Sequence, residues 1–221
     1  MGNIVELKVG VDCHKQFILM TQSVGVLKMA RTTKTTKNTV RPKPPKGWFA
    51  AGLTPESYEM SIDRTEFHSG TQCAYLRSCP NVKMHDWGTL MQNMPPRNYL
   101  GKRIQMSFWV KTKDVEGWVQ GWLRVDGKDD DQYLAFDNMC NRTIRGTNDW
   151  TKHTIVLDVP EESTNIAFGI MLGRKGCVWL DDVSFDAVSN DVPTTECSCS
   201  NCGKVTPTNL DFEEEHDGEC R

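Results

Sequence analysis

The chain has 221 residues, of which 38% are hydrophobic and 25% charged, with a formal net charge of −3. That length accommodates one medium domain with flanking segments or two small domains, and excludes a large multidomain enzyme. The apolar runs are too short for a bilayer-spanning helix, and the first twenty residues place Glu6, Lys8, Asp12, His14 and Lys15 where a signal peptide needs an unbroken apolar block.

Glu6 also stands where a myristoylation signal needs Ser or Thr, so a soluble, cytoplasmic protein with no membrane partner is expected. Residues 1–46 read as an N-terminal segment and a basic linker. From Leu27 to Gly47 there are seven bases (Lys28, Arg31, Lys34, Lys37, Arg41, Lys43, Lys46) and no acid, with almost no apolar content. Such a stretch buries too little surface to offset its ordering entropy. A basic arm for nucleic acid is the sharper alternative, but no aromatic residues are interleaved to stack bases; a solvated linker is the preferred reading, and no nucleic-acid partner is expected.

From Tyr58 onward apolar residues alternate with polar ones, the pattern of half-buried strands. Strands are predicted at Tyr58–Asp63, Cys73–Ser78, Gly88–Asn93, Lys102–Thr112, Trp118–Asp126, Gln132–Phe136, His153–Val159, Asn165–Leu172 and Cys177–Phe185. The inward sets are Ile104, Met106, Phe108 and Val110; Val119, Leu123 and Val125; Ile155, Leu157 and Val159; and Ile166, Phe168, Ile170 and Leu172. Turn residues separate them, as at Pro95-Pro96-Arg97-Asn98, Asp126-Gly127-Lys128 and Gly146-Thr147-Asn148-Asp149. Residues 47–189, which hold all seven Trp, therefore read as an all-β, antiparallel jelly-roll β-sandwich of about nine strands, with irregular segments on either side.

The second face of Trp118–Asp126 carries Trp118, Gln120, Trp122, Arg124 and Asp126, an aromatic and hydrogen-bonding row on a strand whose other face is already apolar. With Trp109, Gln105 and Gln92 from neighbouring strands, this row is expected to form a groove suited to sugar. Aromatic faces cover the C–H patches of a pyranose, while amide and guanidinium groups fix its hydroxyls. The competing reading is that loops or tails cover these aromatic residues.

No catalytic reading is supported. The five His (His14, His68, His85, His153, His216) form no pair at metal-ligand spacing, and no nucleophile elbow, phosphate loop or dinucleotide fingerprint is present. Neighbouring acids such as Asp181-Asp182 point to opposite faces of a strand and cannot flank one glycosidic bond. Beyond residue 190 the chain becomes an acidic tail. There Cys197, Cys199 and Cys202, followed by His216 and Cys220, offer zinc-type ligands at a spacing that matches no standard finger. The nine cysteines as a whole lack a disulfide framework, which favours a reducing compartment and leaves the Asn141-Arg142-Thr143 sequon idle.

The run Trp179-Leu180-Asp181-Asp182-Val183-Ser184-Phe185 resembles the closing strand of galactose-binding-like jelly rolls, the fold of many carbohydrate-binding modules. Phe67-His68-Ser69-Gly70-Thr71, Tyr99-Leu100-Gly101-Lys102 and Asp149-Trp150-Thr151-Lys152-His153 fit the same picture. Gly88-Thr89-Leu90-Met91-Gln92, Leu123-Arg124-Val125-Asp126-Gly127, Ala135-Phe136-Asp137-Asn138-Met139 and Ala167-Phe168-Gly169-Ile170 resemble more narrowly a jelly-roll domain appended to bacterial helix-turn-helix regulators of the AraC type. The resemblance implies a jelly roll and says little about the ligand. It also implies a structural calcium between Asp182 and Glu213. Modules of this type open with a strand like Asn-x-x-Phe-Glu before Gly-Trp; here Gly47-Trp48 follows the linker, while Asn209-Leu210-Asp211-Phe212-Glu213 stands in the tail. Residues 208–214 of the 190–221 tail are therefore expected either to supply the missing strand, with Phe212 buried near Val183 and Phe185, or to begin a second module. The expected function is a non-catalytic binding module for carbohydrate or a similar polyhydroxylated ligand. The alternative is an effector or protein-interaction domain of a transcription regulator that binds a protein partner and no sugar.

Overall fold

The computed structural model describes residues 42–128 and 133–196. The described chain is all-β, with one 3-10 turn at Pro55–Ser57 and nine strands: β1 (Phe49–Gly52), β2 (Tyr58–Asp63), β3 (Cys73–Ser78), β4 (Trp87–Met94), β5 (Lys102–Asp126), β6 (Tyr133–Asp137), β7 (Ile144–Val159), β8 (Asn165–Gly173) and β9 (Cys177–Val188). All pairings are antiparallel, in the path β1-β4-β8-β5-β9-β3-β2, with β6 and β7 also on β5.

β5 organises the fold. Its first half pairs with β7 and β9, and its second half with β8 and β6. Between them Asp114 adopts φ 52° and the register with β7 shifts repeatedly, the irregularity by which a strand passes from one layer of a sandwich to the other. The two halves then face each other: a Cβ on Gly121 would collide with the Phe108 ring, so glycine is required where the layers approach. Tyr58 of β2 covers Gly88 of β4 in the same way.

The core between the layers is built from the alternating residues. Leu76, Ile104, Met106, Phe108, Val119, Leu123, Ile155, Leu157, Ile166 and Ile170 are buried in one cluster, each contributing roughly 1.5–3 kcal/mol by leaving water. The turn after β6 is held by Asp137, which is 0% exposed. Its carboxylate accepts from the Met139 backbone N–H at 2.8 Å and from both Arg142 Nη atoms at 3.2 and 2.5 Å.

Two predicted strands, Lys102–Thr112 and Trp118–Asp126, are the two halves of β5. Gly146-Thr147-Asn148-Asp149, expected to be a turn, lies within β7, because the Thr112 hydroxyl donates to the Gly146 carbonyl and accepts from Asn148 Nδ2, which holds this irregular stretch against the bend of β5. β1 was not predicted; its four residues lack an alternating pattern.

Candidate functional site

The outer face of the layer β1-β4-β8-β5-β6 carries a second apolar cluster of Trp87, Met91, Trp118, Trp122, Ala167 and Met171. Strand register aligns them in rows: Trp87, Gly173 and Trp118; Thr89, Met171 and Gln120; Met91, Gly169 and Trp122; Asn93, Ala167 and Arg124. The two glycines of β8 allow close approach, Gly169 to Leu90 and Met91 of β4 and Gly173 to the Trp118 indole. A Cβ on Gly173 would stand 2.7 Å from Trp118 Nε1, so that ring lies over the glycine. Trp122 Nε1 donates to Thr89 Oγ1 at 2.9 Å. Because β8 separates β5 from β4, this bond draws the Trp122 indole across β8. Thr89 Oγ1 donates onward to the Ile170 carbonyl at 3.0 Å.

The face is sealed rather than open. Trp122 is 0% exposed, Gln120 5% and Trp118 8%, which corrects the expectation of an exposed groove with Trp122 as a contact. Trp122 is the floor of the cluster, held by packing and by Thr89. In this apolar setting the amide oxygen Oε1 of Gln120 is buried without a hydrogen-bond partner. Leaving such a carbonyl unsatisfied costs about 1–3 kcal/mol, an unusual burden on the outside of a two-layer sandwich. At the end of the row Arg124 pairs with Asp126, Nε to Oδ1 at 2.6 Å and Nη2 to Oδ2 at 3.1 Å, and Asn165 Nδ2 donates to Asp126 Oδ2 at 2.9 Å.

Trp118, Gln120, Trp122 and Arg124 are thus brought together as expected, and three other residues are not. Trp109 and Gln105 lie on the first half of β5, whose outward side chains belong to the opposite layer. There Trp109 stacks on His68 at 3.8 Å, and Gln105 Nε2 donates to Ser107 Oγ at 3.2 Å. Gln92 has the parity of the core residue Leu90, and its Nε2 donates to the Gly47 carbonyl at 2.9 Å, tying down the approach to β1. Trp87, Thr89, Met91 and Met171 belong to the face and were missed. The alternation Trp87, Thr89, Met91 against Gly88, Leu90, Gln92 was the available signal.

On the opposite layer the loop 64–72 is pinned to β9. Asp181 Oδ2 accepts from the backbone N–H of His68 and Ser69 at 2.8 and 3.1 Å. Asp182, in a left-handed conformation at φ 49°, accepts from Ser69 Oγ at 2.7 Å and lies 2.7 Å from His68 Nδ1. These bonds, from Ser69 first and then His68, hold the Asp182 carboxyl below the usual range. Both oxygens of the expected calcium ligand Asp182 are therefore engaged by protein, and no cluster of three His, Cys, Asp or Glu suited to a metal occurs among the described residues. Glu213, Cys197, Cys199, Cys202 and Phe212 lie outside the described residues. Nearby, burial pushes Asp63 up, but a hydrogen bond from Trp179 Nε1 and bonds from Thr65 and Glu66 outweigh it and bring the carboxyl down to about 2. Burial pushes the Cys73 and Cys177 thiols up to about 12, which leaves them protonated and unreactive.

No family model matches the chain. It is 42% identical over 187 residues to the uncharacterized HTH-type transcriptional regulator YbfP of Bacillus subtilis (strain 168), an alignment covering 85% of this chain and 63% of that protein. The chain thus spans less than two thirds of this curated relative. Solved structures similar to it include the CBM22-1 xylan-binding domain from Paenibacillus barcinonensis Xyn10C, with 14% identity, TM-score 0.47 and 67% and 90% of the two chains covered. A family 16 carbohydrate-binding module has 13% identity, TM-score 0.45 and coverage of 58% and 86%. TmCBM61, solved with beta-1,4-galactotriose, has 13% identity, TM-score 0.43 and coverage of 70% and 100%.

Proposed function

We propose that this sandwich is the non-catalytic ligand-binding part of a transcription regulator of the YbfP kind, and that its ligand is a carbohydrate or similar polyhydroxylated molecule taken on the Trp118–Gln120 face. The observation that carries the reading is the buried, unpartnered Oε1 of Gln120, set among Trp87, Trp118, Trp122 and Met171. A ligand hydroxyl supplies the donor this oxygen lacks, and the Trp118 ring offers an apolar plane for the C–H side of a sugar ring. Because the face is sealed, binding requires the rings over Gly173 to shift, and Trp118 is the residue placed to do so. Of the two carboxylates on the Trp118 side of β5, Asp126 is held by Arg124 and Asn165 and Glu116 by Lys175, whereas hydrolysis of a glycoside calls for a pair of carboxyl groups facing one bond. The relative supplies the regulatory context.

The test is calorimetric titration of the full chain with a panel of mono- and oligosaccharides, beside Trp118→Ala and Gln120→Met. Binding by the parent chain that is lost in both variants supports the reading. Binding retained in both, or no binding to any member of the panel, overturns it.

A further inference from the structure

The layer formed by β2, β3, β9 and the first half of β5, opposite the Trp118–Gln120 face, carries a recess of its own. Register sets Arg77 of β3, Cys177 of β9 and Lys113 of β5 side by side. Their chain neighbours Leu76, Val178 and Thr112 are buried inward, so these three point out. Cys177 is short and the bases on either side of it are long, which leaves a gap over the thiol between strands roughly 9–10 Å apart. The gap belongs to a cavity of about 440 Å³ whose walls also include Ser78, Lys175 and Trp179, a size suited to a small molecule. Trp179 lies two residues along β9 on the same face, and its Nε1 donates to Asp63 Oδ2 at 2.9 Å, which fixes the ring as one wall. The turn between β8 and β9 forms the rim. The Glu116 N–H donates to the Lys175 carbonyl at 3.0 Å, and Gly176, at φ 140°, lies so close to β5 that a Cβ would stand 2.8 Å from Val115 Cα.

The charges of these walls are unequally used. Lys111, also on β5, is paired with Glu66 at 3.0 Å and Asp149 at 3.5 Å. Lys113, two residues on, has no carboxylate within ion-pair distance among the described residues. Arg77 gives one Nη2 bond to Glu59 and keeps further donors. Lys175 lies 3.5 Å from Glu116 with both side chains more than half exposed, a pair that contributes little. Two carboxylates also line the cavity, Glu116 and Asp114; Asp114 Oδ1 accepts from Thr147 Oγ1 at 3.4 Å. Ser78 Oγ accepts from the Gly176 N–H at 3.1 Å, which leaves its own proton to donate. Burial keeps the Cys177 thiol protonated, so the floor between the two bases is neutral.

We infer that this cavity binds a sugar carrying a phosphate or a carboxylate, its anionic group held between Arg77 and Lys113 over Cys177 and its ring against Trp179. The inference is independent of the ligand proposed for the Trp118–Gln120 face. A guanidinium presents a planar fork of donors to either kind of anion and an ammonium adds a point charge. The C–H side of the ring lies on the indole, and its hydroxyls donate to the Asp114 and Glu116 carboxylates, which a bare anion would be repelled by. A neutral sugar would leave Lys113 unused, and an inorganic anion would leave Trp179 unused. Arg77 and Lys113 are exposed, so the affinity falls as salt is added.

The test titrates the full chain with glucose 6-phosphate, glucuronate, glucose and inorganic phosphate, read by calorimetry and by the indole N–H resonance of Trp179, beside Lys113→Met, Arg77→Met, Lys111→Met and Trp118→Ala. Lys111→Met removes the same charge from the same strand outside the cavity, and Lys113 is exposed, so its replacement leaves the fold intact, as an unchanged Tm verifies. Glucose 6-phosphate or glucuronate is expected to shift Trp179 saturably and to bind about tenfold or more weakly to Lys113→Met and Arg77→Met, with the affinities of Lys111→Met and Trp118→Ala close to that of the parent. The tighter of the two sugars identifies the anionic group. No shift of Trp179 with either charged sugar, or a loss in Lys111→Met as large as in Lys113→Met, overturns the inference. Glucose or inorganic phosphate acting on Trp179 as tightly as the charged sugars overturns it too, as does binding lost in Trp118→Ala and kept in Lys113→Met.

Discussion

Replacing Gln120 by Met tests whether the outward aromatic face is maintained for binding at the expense of stability. Gln120 is 5% exposed and its Oε1 has no partner, so the folded state carries an unsatisfied carbonyl that costs about 1–3 kcal/mol. Met has similar length, no polar group needing a partner, and a flexible thioether that packs well against indoles such as Trp118 and Trp122. Allowing for imperfect packing, Gln120→Met is expected to stabilise the domain by about 1–2 kcal/mol, or about 3–6 °C in Tm for a domain of this size. In urea unfolding followed by tryptophan fluorescence, the midpoint should rise with the slope unchanged, while saccharide binding is lost. Such an opposition of stability and binding is common at functional sites. A Met variant less stable than the parent by 1 kcal/mol or more would refute the reasoning, because it would mean that the amide makes bonds that stabilise the fold.

Four further outcomes follow from the packing and the charges. Trp122→Ala is expected to cost about 3–5 kcal/mol in denaturant unfolding, as a buried ring is replaced by a cavity, and Trp122→Phe about 1 kcal/mol, mainly the bond to Thr89. Gly121→Ala should cost about 1–3 kcal/mol by collision with Phe108, and adding Phe108→Leu should recover part of the loss, a coupling that a double-mutant cycle measures. Arg142→Met leaves Asp137 buried without its cation and should cost about 3 kcal/mol in the same assay. Burial, assisted by Arg142, holds the His153 imidazole below its ordinary value; its contribution to stability is therefore complete above about pH 6.5 and is lost as the pH falls below it. The decline in Tm between pH 7 and 5 should be smaller in His153→Phe, which keeps the stacking on Phe108.

The layers of the fold were legible because both obey a period of two. Tyr58–Asp63 and Cys73–Ser78 begin and end where predicted, and the inward sets of β5, β7 and β8 are the core. Continuity of β5 was not legible: Lys102–Thr112 and Trp118–Asp126 read as two strands, and only the pairing of β5 with β7 through the bend at Asp114 makes one strand of two. That difference separates two of the expected residues from the rest. Trp109 and Gln105 were grouped with Trp118, Gln120 and Trp122 although the bend sends the two halves of β5 to opposite layers. The burial of Trp122 was not legible either, since its partner Thr89 lies on another strand and meets the indole only in the folded sheet. Alternation reports which face a residue takes; whether a face is open depends on contacts distant in sequence.

The central claim, a ligand taken on the Trp118–Gln120 face, is tested most directly by following the indole N–H resonances of all seven tryptophans while the full chain is titrated with saccharides. Saturable shifts at Trp118 and Trp87, with Trp109 and Trp179 unmoved on the opposite layer, are predicted. Shifts confined to Trp109 and Trp179, or none at any indole across the panel, would contradict the account.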